Sequence, residues 1–292
     1  MCVGLALLGA TRPARACASC GCGDQTLTVT GIERPYKNRV RATLEERYGS
    51  LSLGDADVGQ KITFLRSTLA LSWSPMNRLT IGALVPWVTS WVKPVGQAQQ
   101  QVNGLGDLEL SVRGVVYRER NFAPHHILSL SGGLKFPTGP RVYDDSMHPY
   151  ADDDQPGTGS WDPFAGLTYT YFSGELISAW ASGSFRLTTT GPRGYRRGAV
   201  FGGTAAIQVQ PWSWGALVLG ADVVWQDSDT LENGVAAPNT GGTVGYLAPS
   251  FVATPWMDLL IKVTVDVPVL YGLNGNQSVG PQVSLLVAYD FK

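Results

Sequence analysis

The chain has 292 residues and a formal net charge of −1, with only 15% charged residues but 35 glycines and 9 tryptophans. Soluble domains carry roughly 25% charge, and a near-neutral balance offers no basic face for nucleic acid. After the N-terminus no stretch reaches the ~18 apolar residues that a spanning helix needs. A closed β-barrel is then the one way such a chain can cross a bilayer, and with no Pro/Ser-rich linker or charge run to divide it, it reads as one domain.

Residues 1–16 read as a secretory signal, with an apolar stretch from Val3 to Ala10 and a small-x-small cleavage site at Ala14-Arg15-Ala16. The basic residues that usually open such a signal are missing, which points to a late start codon or a trimmed chain. Residues 17–37 form a Cys-containing segment, Cys17-Ala-Ser-Cys20-Gly-Cys22-Gly-Asp24, expected in the periplasm. Three thiols there can form one disulfide with one left over, or offer soft ligands to Cu(I) or another soft metal. Lipidation of Cys17 is a third reading. No His lies nearby and a fourth ligand is missing, which argues against a closed zinc site.

From residue 38 to 292 the pattern is all-β. Twelve segments of about ten residues, the length of a tilted membrane strand, fall near 38–49, 60–73, 78–91, 106–118, 126–136, 160–172, 176–188, 197–210, 214–226, 243–254, 258–269 and 281–291. Short links (74–77, 119–125, 173–175, 211–213 and 255–257) alternate with long ones (50–59, 92–105, 138–159, 189–196, 227–242 and 270–280). A transmembrane antiparallel β-barrel with up-and-down connections has short periplasmic turns and long outer loops in this order, and a soluble sandwich has no reason to. The final segment alternates Val283, Leu285, Val287, Tyr289 and Phe291 with small or polar residues, broken by Leu286. Such a strand, aromatic at its penultimate residue, closes barrels of the Gram-negative outer membrane and is the expected handle for the barrel-assembly machinery.

Parity decides which side chains face lipid, because successive strand residues point to opposite faces. The outward set includes Leu65, Leu69, Leu71 and Trp73; Leu108, Leu110 and Val112; Leu217, Leu219, Val223 and Trp225; and Leu259, Ile261, Val263, Val265 and Val267. The same parity sends Arg39, Arg41, Arg47, Arg66, Arg113, Lys135, Arg186 and Lys262 inward, opposed by Glu45, Asp107, Glu109, Asp162, Asp222, Asp266 and Asp290. Near balance of sign predicts a lumen crossed by ion pairs, without strong anion or cation selectivity. Segments 176–188 and 243–254 alternate poorly, and Glu46 falls on the lipid parity unless a bulge or the upper rim accommodates it. Tryptophans and tyrosines gather near segment ends, as interface girdles require.

Several motifs occur in order: Leu79-Thr-Ile-Gly-Ala-Leu-Val-Pro86, Gly104-Leu-Gly-Asp107-Leu-Glu-Leu, Gly133-Leu-Lys-Phe-Pro-Thr-Gly139, Gly157-Thr-Gly-Ser-Trp-Asp-Pro163, and Val265-Asp-Val-Pro-Val-Leu-Tyr271 with Asn274-Gly275. Over about Asn38 to Lys292 the chain resembles the outer-membrane transporter family labelled MetA-pathway of phenol degradation. The resemblance implies a barrel moving small, often apolar or aromatic solutes, and transfers no functional residues. The Cys-rich start departs from that pattern and leaves room for a barrel dedicated to metal, copper above all.

Two other chemistries are weaker. The outer loop Asp144-Asp145-Ser-Met-His148-Pro-Tyr-Ala-Asp152-Asp153-Asp154 could hold Ca2+ but reads first as a solvated loop. A barrel-borne hydrolase needs a base beside a Ser, yet His125 and His126 fall in a turn, His148 falls in the acidic loop, and no Gly-x-Ser-x-Gly elbow occurs. No catalytic residue is assigned.

Overall fold

The computed structural model describes residues 37–291 apart from 55, 56, 58, 122, 145, 151–153, 175 and 193. The signal segment and Cys17, Cys20 and Cys22 therefore lie outside the described residues. Within them every regular element is a strand. The first five are β1 (Arg39–Leu53), β2 (Gln60–Met76), β3 (Leu79–Pro94), β4 (Gln100–Leu105) and β5 (Glu109–Arg118). There follow β6 (His126–Lys135), β7 (Asp162–Ser173), β8 (Ile177–Arg186), β9 (Val200–Trp212) and β10 (Gly215–Gln226). The last four are β11 (Gly242–Trp256), β12 (Leu259–Leu273), β13 (Gln277–Val279) and β14 (Gln282–Phe291).

Each strand pairs antiparallel with its neighbours, and β1 closes the ring by pairing β2 on one side (Val40↔Trp73) and β14 on the other (Val40↔Phe291). Two staves of the barrel are broken in the middle. The loop-end half of β3 pairs β4 (Trp87↔Leu105) and its turn-end half pairs β5 (Leu84↔Glu109); β1 likewise takes β13 above and β14 below. The result is a closed barrel of twelve staves, in which only the short β4 and β13, each paired to one neighbour among the described strands, end the sheet at the loop end.

The strands reach higher than alternation predicts. Residues 92–105 and 270–280, expected as loops, are largely strand, because β3 continues to Pro94 and pairs β4, β12 continues to Leu273, and β13 pairs the upper end of β1. Above a lipid belt the outward face of β4 meets water, so polar Gln101 and Asn103 stand there and erase the alternation, while the inward Val102 and Gly104 stay buried and the backbone ladder persists. At Gly106 the amide bonds Pro86 O (2.8 Å). There the facing flips: Val102, Gly104 and Gly106 are buried on one parity, and Asp107 and Arg113 on the other.

The outer wall follows parity closely. Leu69, Leu71, Leu110, Leu217, Leu219, Val263, Val265 and Val267 are all exposed. An apolar band of this extent is what lipid requires and water does not tolerate. Aromatics rim it. At the turn end stand Trp73, Tyr169, Tyr171, the stacked pair Trp212 and Trp214 (centroids 5.7 Å) and the edge-on pair Tyr289 and Phe291 (5.0 Å); toward the loop end stand Tyr48, Trp87, Trp161 and Trp225. Glu46 lies on the outward parity at this upper rim, between Tyr48 and the register partner Ser67, whose hydroxyl donates to Glu46 Oε2 (2.6 Å).

Candidate functional site: the barrel lumen

Inward-facing side chains divide the lumen into two halves. In the turn-end half, Val115 (β5), Ile127 (β6), Phe172 (β7), Trp180 (β8), Ala216 and Val218 (β10), Val252 (β11), Leu260 (β12), and Leu286 and Ala288 (β14) form one buried apolar cluster. With Ala206 of β9 they come from nine staves, and none is more than 9% exposed. Interior positions that exclude water to this degree mean that side chains fill this half. Leu286, the residue that breaks the alternation of the last strand, is part of this filling.

Among the apolar groups sit a few polar ones. Arg39 and Arg41 both bond Asp290, with Nε to Oδ1 at 2.9 and 2.7 Å and Arg41 Nη2 to Oδ2 at 2.7 Å. Arg41 and Asp290 are direct register partners across the β1–β14 seam, so this trio fastens the place where the barrel closes. Arg113 reaches Ser129 Oγ (3.4 Å). Lys262 is 7% exposed, flanked in register by Val252 and Leu286, with Asp266 as a charge within electrostatic range.

The loop-end half is a polar chamber. Arg47 bridges Glu45 (2.9 Å) and Asp266 (3.0 Å). Arg186 grips Glu109 with both terminal nitrogens (2.7 and 2.9 Å), and its guanidinium lies 5.0 Å from the centre of the Phe164 ring. That ring in turn covers Gly133, where a Cβ would overlap it. Asp222 accepts from Thr204 Oγ1 (2.6 Å). Arg66 projects inward from β2, open to water, and directly opposes Arg47 across the β1–β2 ladder.

A third group holds the ceiling. Lys135 Nζ lies 2.7 Å from Asp107 and 2.8 Å from Asp162, and it also bonds the Thr158 hydroxyl. The remaining carboxylate positions take backbone amides: Asp107 accepts from Gly139 (3.0 Å) and Thr158 (2.8 Å), and Asp162 from Thr189 (3.0 Å). All three ionic side chains are at most 7% exposed, so they tie down the segment 136–161 and do not contact solute. That segment turns inward. A side chain at Gly106 would meet the Pro156 carbonyl at 2.9 Å, and one at Gly104 the Pro156 ring and Val142, each at 3.0 Å.

The fifteen charged residues named from parity thus fall into separate groups with separate tasks: seam (Arg39, Arg41, Asp290), chamber (Glu45, Arg47, Arg66, Glu109, Arg186, Asp222, Asp266), ceiling (Asp107, Lys135, Asp162) and floor (Arg113, Lys262). Parity does not distinguish them, and it misses Arg197, just before β9, whose charge acts on Arg66 in the chamber. The trace of the apolar floor is present in the sequence as the poor alternation of 176–188 and 243–254, where Trp180, Val244, Ala248 and Val252 put apolar groups on the inward parity. No group of His, Cys, Asp and Glu among the described residues could hold a metal ion. Of the acidic outer loop, Asp145, Asp152 and Asp153 lie outside them, while Asp144 receives the amides of Ser146 (2.9 Å) and His148 (2.8 Å) as an ordinary turn. His126 faces outward, with Nδ1 2.7 Å from Tyr169 Oη, in the aromatic rim and away from the lumen.

No protein-family model and no curated protein matches the chain. Solved structures do. The COG4313 outer membrane channel from Pseudomonas putida F1 superposes with a TM-score of 0.67 at 15% identity, over 88% of this chain and 97% of that one. The translocator domain of autotransporter NalP from Neisseria meningitidis gives 0.50 at 10% identity, over 89% and 91%, and the toluene transporter TodX from P. putida gives 0.44 at 8% identity, over 88% and 90%. At these identities the likeness is one of fold: the chain is a closed β-barrel built as the COG4313 channel and, more loosely, the NalP translocator domain are.

Proposed function

We propose that the chain is an outer-membrane channel of a Gram-negative bacterium that passes small solutes with an apolar or aromatic body. One observation carries this reading: inside a lipid-facing barrel, a hydrated polar chamber stands above a floor of packed apolar side chains. A wide general porin keeps its bore wet throughout, whereas a floor made of Trp180, Leu286 and their neighbours yields most cheaply to a solute that replaces apolar contacts with apolar contacts. Short turns and both chain ends face the periplasm in this arrangement, residues 1–16 are the signal, and β14 is the strand offered to the assembly machinery.

The test is entry into intact cells. A Gram-negative host carrying a periplasm-confined esterase hydrolyses an added small aromatic ester at a rate limited by its outer membrane. Expression of this protein should raise that rate several-fold without leakage of the esterase; no rise over an empty vector ends the proposal. The second reading, a barrel serving metal, rests on Cys17, Cys20 and Cys22, whose thiolates favour Cu(I) and whose neighbours Gly21 and Gly23 let the chain wrap tightly. Protein purified anaerobically should then carry copper that a triple Cys→Ser variant lacks. One disulfide by mass and equal copper in both would make the segment a staple.

A further inference from the structure

Every carboxylate named above as facing the chamber is engaged among the described residues. Both oxygens of Glu109 are taken by Arg186, Glu45 and Asp266 share Arg47, and Asp222 accepts from Thr204. Arg66 is left over, with no hydrogen bond or ion pair from its guanidinium among the described residues. The charges that act on it are Glu109, already used, and three further arginines, Arg197, Arg47 and Arg186. Arg197 is in the same position: its backbone carbonyl receives the Thr188 hydroxyl, and its guanidinium has no partner among the described residues. Arg66 stands on β2 and Arg197 just before β9, six staves apart in either direction around the ring. The two free cations therefore start from opposite walls, and the charge of Arg197 acts on Arg66. Like charges placed so, and Arg47 directly across the ladder from Arg66, repel, and a fold keeps such an arrangement only at a cost to its stability.

An anion relieves that cost. A planar carboxylate matches guanidinium donors in charge and geometry, and two arginines from facing walls hold it on the barrel axis. The rest of the occupant is set by its surroundings. Phe164 lies under Arg186, Phe64 is the inward neighbour of Arg66 on β2 with its ring over Gly49, and the floor beneath is apolar. We propose that Arg66 and Arg197 form a carboxylate subsite in the upper chamber, so that the channel selects small aromatic acids, with the ring leading toward the floor. This rests on the channel reading above and refines it.

A matched pair of probes tests it in the same cells: 4-nitrophenyl acetate, which is neutral, and its ring-carboxylated analogue, both cleaved by the periplasmic esterase. Wild-type protein should speed entry of both. The Arg66→Gln/Arg197→Gln variant should lose about tenfold of the carboxylate's gain, in line with the loss of charge-assisted hydrogen bonds, and keep the neutral ester's gain. Arg66→Lys should restore part of it, and heat-modifiable migration on gels should show that each variant is folded. Benzoate at millimolar level should compete with the carboxylated probe, while inorganic phosphate at the same level should not. Equal loss for both probes, or no loss for either, overturns the subsite while leaving the channel standing. Competition by phosphate as strong as by benzoate overturns the aromatic part. Failure of wild-type protein to admit either probe strikes the channel reading itself.

Discussion

Two adjacent residues of β12 separate the lipid wall from the lumen, and exchanging their character tests the facing directly. Val263 is exposed on the outer wall, level with Phe251 of β11 and Leu285 of β14. It lies four residues from Leu259 and four from Val267 along the strand. At a rise of about 3.4 Å per residue and a tilt of about 40°, that places it roughly 10 Å from either edge of the outward apolar run. A band about 25 Å tall then has Val263 near its midplane, where an arginine costs roughly 2 to 4 kcal/mol. Lys262 points the other way. Its side chain is buried inside the barrel and makes no hydrogen bond or ion pair among the described residues, so Lys262→Gln removes a charge without opening a pair. Folding into lipid vesicles, read as the heat-modifiable band on gels across a urea series, should show Val263→Arg shifted to much lower urea or failing to insert, and Lys262→Gln within about 1 kcal/mol of wild type. Equal behaviour of the two variants would mean that the register of β12 is wrong by one residue.

Other outcomes follow from the groups inside the barrel. Lys135→Met leaves Asp107 and Asp162 buried side by side without their shared cation, and removing one partner from such a site costs about 3–5 kcal/mol; the segment 136–161 should become cleavable by protease while the barrel stays heat-modifiable, and an uncleaved segment would deny the fastening role. Asp290→Asn strips the seam of the charge that holds Arg39 and Arg41, so unfolding in urea should begin at lower concentration, whereas an unchanged midpoint would place closure elsewhere. In the turn between β5 and β6, slight burial opposes ionisation of Glu119, but the amides of His125 and His126 outweigh it and hold its carboxyl well below the ordinary 4.5, at about 2. A depressed value means the turn gains from the carboxylate at any pH above about 4.5 and loses that support only as pH falls toward 2. The amide resonance of His125 should titrate with a midpoint near 2, and a midpoint near 4.5 would contradict the bond.

What could be read from the chain ahead of its structure was whatever repeats with a period of two against lipid. Leu65 to Trp73 or Leu259 to Val267 show one apolar face and one polar face, so element and facing come together. Alternation fails where the environment stops being two-sided. Above the lipid belt, Gln100 to Leu105 turns Gln101 and Asn103 outward to water and looks like loop although it pairs with β3. In the floor, Trp180, Val252 and Leu286 are apolar on the inward parity, and the strand then looks like a poor strand when it is a strand with two greasy faces. Parity also gives no partner choice: that Arg186 takes Glu109, that Asp107 and Asp162 share Lys135, and that Arg66 is left without a carboxylate depend on which staves lie side by side. Arg197 opens the expected segment 197–210 on the parity of the outward Phe201, Ile207 and Val209, but the strand begins only at Val200, so parity says nothing true of it.

Single-channel recording in planar bilayers tests most directly the claim that the lumen is a wet chamber over an apolar floor. Wild-type protein in molar KCl should pass little steady current, and Trp180→Ala/Leu286→Ala, which hollows the floor, should pass several times more. A large, steady conductance in the wild type, unchanged by hollowing the floor, would show an open aqueous bore and contradict the account.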